Sequence, residues 1–103
     1  MSKPIPDRAE IALEYPDKFY AGTFEHSSRF EARLDGSGVA LILEHPGAED
    51  VRKSVHLHLN FGLLAGILRE LAASVAAIPK DDIAHRKLLA DAVDELRQAL
   101  KAP

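Results

Sequence analysis

The stretch "SVHLHLNFGLLAGILRELAASVAAI", residues 54–78, changes its hydrophobic period part-way along. From Ser54 to Asn60 polar and apolar residues alternate, with Ser54, His56, His58 and Asn60 on one side and Val55, Leu57 and Leu59 on the other, which is the period of a β-strand. Beyond Asn60, whose side chain suits an N-cap, Leu64, Ile67, Leu68, Leu71, Val75 and Ile78 recur at helical spacing and leave Arg69, Glu70 and Ser74 for solvent. Asn60 is therefore the hinge of the sequence: strand patterns lie before it and helix patterns after it.

Upstream, "RFEARLDGSGVALILEH" (29–45) reads as a β-hairpin. Phe30, Ala32 and Leu34 oppose Arg29, Glu31 and Arg33 across the first strand, and "DGSG" supplies two glycines for a turn with positive φ before the second. "EHSS" (25–28) reads as a turn, and Phe19–Phe24 as an aromatic-rich strand. Before it, Ile11, Leu13 and Tyr15 alternate with Glu10, Ala12 and Glu14, ending at a Pro16-Asp17 turn; a short helix over 7–14 competes, because Ala, Glu and Leu are good helix formers. Residues 1–7, with Pro4 and Pro6 and only Ile5 to dock, are expected to form a flexible arm.

Downstream, Pro79 ends the first helix, and Asp81 or Asp82 caps a second that runs to about Lys101. Asp82 stands four residues before Arg86, the favourable order for a pair. The whole predicts an α+β fold in residues 8–103: an antiparallel β-meander of four or five strands followed by two C-terminal helices packed on one face of the sheet. The connections between strands are too short for parallel crossovers.

Composition narrows the function. The 103 residues carry 13 Lys and Arg against 16 Asp and Glu, a net charge of −3 with mixed signs throughout, so there is no basic stripe for a nucleic acid. Protonating all five histidines would bring the formal charge to +2. The chain has no cysteine, which excludes disulfides, thiolate zinc fingers and thiol catalysis and fits a reducing, cytoplasmic setting. The first twenty residues do not read as a signal peptide, and Arg69, Glu70 and Ser74 interrupt the most apolar region, so no membrane partner is expected.

No catalytic constellation is present. His26, Ser27 and Ser28, with Asp35 as an imagined orienting acid, read as turn chemistry, with neither a strained elbow nor an oxyanion loop beside them. No cofactor is implied. The expectation is a non-enzymatic binding domain acting as a homodimer or with a protein partner. Its contact surface is either the open sheet face, Ala40, Ile42, Glu44, His56 and His58, or the second helix, where Leu88 and Ala92 widen the stripe of Leu89, Val93, Leu96 and Leu100. The alternative is a metal-binding or metal-sensing protein in which His56 and His58 hold a divalent transition metal, with Glu44 or Glu31 adding oxygen ligands. A third is a small-ligand carrier or enzyme with a pocket between sheet and helices, where Tyr15, Tyr20 and Arg29 supply polar groups.

Overall fold

The structure, a computed structural model, describes residues 2–47, 52–77 and 81–101. Six strands precede two helices: β1 (Lys3–Pro4), β2 (Ala9–Tyr15), β3 (Lys18–Phe24), β4 (Arg29–Leu34), β5 (Gly38–His45), β6 (Lys53–Asn60), α1 (Phe61–Ala76) and α2 (Ile83–Lys101). All strand pairs are antiparallel and the helices come last, an α+β fold. The chain forms two compact units, Met1–Ile67 and Leu68–Pro103.

In the first unit the strands divide between two sheets rather than forming one meander. β4, β5 and β6 make a meander, and β1 joins it on the β4 side, giving the order β1-β4-β5-β6. β2 and β3 close on each other instead. Only Pro16 and Asp17 connect them, so Tyr15 pairs with Lys18 and Leu13 with Tyr20, and the rings of Tyr15 and Tyr20 meet edge to face at 6.3 Å. The strand alternation over Ala9–Tyr15 prevails over the competing helix, because the pairing partner is only two residues away.

The N-terminal segment expected to be free is paired. Lys3 and Pro4 lie opposite Phe30 and Arg29, and the Ile5 N–H donates to the Ser28 carbonyl at 3.1 Å. The Arg29 guanidinium donates to the Ser2 hydroxyl and carbonyl at 2.9 and 2.7 Å. Proline is tolerated here because β1 is an edge strand and can leave its donor-less side unpaired. Ile5, 6% exposed, joins Phe24 and Val39 as the buried apolar side chains among the described residues. Phe24 also receives the Lys53 ammonium 4.9 Å from its ring centroid.

The β4–β5 turn forms where "DGSG" predicts it, by a different device. Neither Gly36 nor Gly38 has positive φ; among the described glycines that conformation belongs to Gly47. The Asp35 carboxylate organises the turn, its Oδ1 accepting from the Ser37 and Gly38 N–H groups at 2.8 and 2.9 Å. Gly38 is needed for space: a Cβ there would lie 2.0 Å from the Leu59 carbonyl oxygen of β6. Farther along, the polar connection expected over residues 45–53 lies partly outside the described residues.

β6 passes into α1 without a loop. The Asn60 side chain caps the helix, its Oδ1 accepting from the Leu63 N–H at 2.7 Å. The expected contributions of Ile78 and Pro79 lie outside the described residues. Asp82 stands at the start of α2 with its carboxylate 3.0 Å from His85 Nδ1; the hydrogen bond from His85 and, more weakly, the Arg86 charge lower its pKa, and the Arg86 N–H donates to the Asp82 carbonyl at 3.3 Å. Lys101 in the last turn complements the helix dipole.

The close approach at Gly38 sets a stability test. Gly38→Ala should cost about 1–3 kcal/mol by forcing β5 from β6, whereas Gly36→Ala, with open space around its Cβ, should stay within about 0.5 kcal/mol of the parent. Urea denaturation midpoints of the two variants check the difference.

Candidate functional site

The register of β4, β5 and β6 fixes which side chains share a face. His56 lies opposite Ile42, His58 opposite Ala40 and Ser54 opposite Glu44, while Glu31 and Arg33 of β4 face Ile42 and Ala40 from the other side. Ala40, Ile42, Glu44, His56 and His58 therefore lie on one face, as the alternation predicts. His56 also lines a cavity of about 120 Å³ with Ser2, Arg29, Phe30, Glu31, Ile42 and Glu44.

His58 has a defined partner. Its Nε2 lies 2.9 Å from Asp35 Oδ2, across the turn that Asp35 organises. An ionised carboxylate can only accept, so Nε2 carries the proton, and in the neutral ring Nδ1 keeps its lone pair. The Ser37 hydroxyl donates to Asp35 Oδ1 at 3.0 Å. The Ser37 N–H and hydroxyl, then the His58 imidazole and the Gly38 N–H, hold the Asp35 carboxyl down at a pKa of about 2. Sequence spacing gives no hint of this pair, because 23 residues separate its members and only the β5–β6 register brings them together.

Among the described residues no group of three or more His, Cys, Asp or Glu side chains converges as a metal site. Glu44 and Glu31, considered as oxygen ligands, lie on the histidine face, but Glu31 pairs with Arg33 at 3.1 Å.

A second polar cluster gathers at the other end of β5. His45 pairs across the sheet with Lys53, and its Nδ1 lies 3.2 and 3.4 Å from the hydroxyls of Ser27 and Ser28. These four residues, with Thr23 and Glu25, line a cavity of about 420 Å³. Ser28 is 1% exposed, and its N–H closes the 25–28 turn on the Glu25 carbonyl at 2.8 Å. The Lys53 ammonium donates to the Thr23 carbonyl. The histidine beside the serines is thus His45, neither the adjacent His26 nor one oriented by Asp35, which serves the opposite turn. Arg29 lines the first of these two cavities, and neither is lined by Tyr15 or Tyr20.

Comparisons with protein-family models, with curated proteins and with solved structures find no match to this chain. Among the described residues no helix is long and apolar enough to cross a membrane.

The lowered Asp35 pKa gives a pH signature. A carboxyl that titrates at about 2 in the folded chain and near 3.8 in the unfolded one contributes stability that is complete above the unfolded value and lost as pH falls through the folded one. The advantage of the parent over Asp35→Ala in urea midpoint should therefore be steady above about pH 5 and shrink between about pH 4 and 2. An advantage that stays constant down to the lowest pH would show that the turn does not depend on the Asp35 charge.

Proposed function

We propose that this protein is a non-enzymatic interaction domain that works as a homodimer in a reducing compartment such as the cytoplasm. The observation that carries the reading is the state of α2. No residue of this helix is buried, yet Leu89, Val93, Leu96 and Leu100 form a stripe with spacing 4, 3, 4, and Leu100 is 74% exposed. That spacing is the seam of a helix built to meet another helix. The positions flanking it are Ala90, Ala92, Ala99 and Arg97, so three of the four are small and uncharged and allow close approach. The charged residues Lys87, Asp91, Asp94 and Glu95 lie farther round; Lys87 pairs with Asp91, and Asp94 with Arg97.

A helix of this length with its apolar stripe in water is marginal by itself, because most helical stability in proteins comes from packing an amphipathic face. A second copy supplies an identical stripe with the same small flanks, the requirement of a two-fold interface. The open sheet face around Ile42, His56 and His58 offers further contact area. The non-enzymatic reading is supported by the sequence, which carries no phosphate loop, no Gly-x-Gly-x-x-Gly pattern and no His-Glu-x-x-His. The cytoplasmic setting is supported by the absence of cysteine.

Sedimentation equilibrium of the full chain should give the mass of two chains at micromolar concentration. Replacing Leu89 and Leu96 together by Glu should weaken association by about a hundredfold, or about 2.7 kcal/mol, with the far-ultraviolet circular dichroism of the strands retained. Lys87→Ala, away from the stripe, should leave the mass unchanged. A parent chain that remains monomeric at several hundred micromolar would refute the reading.

A further inference from the structure

Among the described residues β6 ends the four-stranded sheet, with β5 on one side and no strand on the other. It is eight residues long and, unlike most edge strands, has no proline or bulge and carries its single lysine, Lys53, at its first position. An edge of this kind is a template for another strand.

The sequence of β6 specifies which strand fits. Read outward from Leu57, the residues match in kind at each step: His56 and His58, Val55 and Leu59, Ser54 and Asn60. Two antiparallel copies related by a two-fold axis through Leu57 therefore set histidine against histidine, aliphatic against aliphatic and small polar against small polar. Self-complementarity of this sort is what an isologous interface requires. Leu57, at the centre, is 48% exposed, and the axis would bury it against its own copy.

We infer that β6 pairs with β6 of a second copy about Leu57, and that His56 and His58 of both chains bind one divalent transition-metal ion. The inference rests on the homodimer reading and adds to it a strand seam and a ligand. Within each strand the two histidines are about 6.5–7 Å apart at the backbone, and across the seam opposed Cβ atoms lie about 4.5–5.5 Å apart. Four imidazoles at the corners of that rectangle, on one face of the sheet, supply the four nitrogen ligands that a tetrahedral ion takes at about 2.0–2.1 Å. One chain supplies only two, in keeping with the lack of a three-ligand group among its described residues.

The His58–Asp35 contact is an independent feature that suits this role. A metal-binding histidine commonly gives its other ring N–H to a carboxylate, which fixes the tautomer and raises the basicity of the ligating nitrogen. Asp35 accepts from His58 Nε2 at 2.9 Å, so Nδ1 is the ligating atom. The residues opposite the two histidines on β5 are Ile42 and Ala40, which place no charge beside the ion. Imidazole donors favour zinc, nickel and copper over magnesium or calcium.

Zinc titration of the metal-free full chain, read by native mass spectrometry and isothermal calorimetry, tests the inference. The expected result is one zinc per two chains, with binding lost in His56→Ala and in His58→Ala alike, because each substitution removes two of the four nitrogen ligands from the pair of chains. Leu57→Lys leaves both histidines in place and opposes two like charges at the axis, so it should abolish zinc binding as well. Saturation at one zinc per chain, or zinc binding undiminished by Leu57→Lys, would overturn the strand seam. A dimer that takes up no zinc would overturn the site and leave the homodimer reading standing, whereas a chain monomeric with and without zinc would contradict both.

Discussion

The approach of β5 to β6 at Gly38 and Leu59 is the contact on which the first unit depends. The absence of a side chain at Gly38 lets the two backbones meet where the turn ends, and the Asp35 carboxylate holds the turn from inside while reaching His58 on β6. With that end fixed, the pairs Val39–Leu59, Ala40–His58, Leu41–Leu57 and Ile42–His56 follow in sequence. A slip of one residue would carry both histidines to the opposite face. The histidine-bearing face is thus a consequence of register, and register is set by a glycine, an aspartate and the alternation of side chains.

Much of this is legible in the sequence because it is local. Alternation over residues 29–45 and 54–60 gives the three strands and their faces, and the "DGSG" segment locates the turn. Asn60 marks the switch of period and caps α1 as its chemistry suggests. The short hairpin of β2 and β3 is visible in the alternation before Pro16-Asp17 and the aromatic-rich run after it.

What the sequence conceals is non-local or uses a residue for an unexpected purpose. The pairing of Lys3 and Pro4 with β4 is too brief to leave a pattern, and Ile5 is a single apolar residue among polar neighbours. The separation of β2 and β3 into their own sheet is a matter of strand partnership, which alternation alone does not encode. Gly38 looks like a residue chosen for positive φ and is one chosen for its missing Cβ. The Asp35–His58 pair and the grouping of Ser27 and Ser28 with His45 join residues 17 to 23 positions apart, and each needs the completed register to exist.

In the proposed dimer a second copy completes the exposed edge of β6 and the apolar stripe of α2. Backbone amide hydrogen exchange, followed residue by residue across a dilution series, addresses it most directly. In such a dimer, amides of residues 54–60 pointing away from β5, and those of α2, should be protected at high concentration and lose protection together as the chain is diluted. Protection in β6 confined to alternate residues and unchanged by dilution, with α2 equally insensitive, would contradict it.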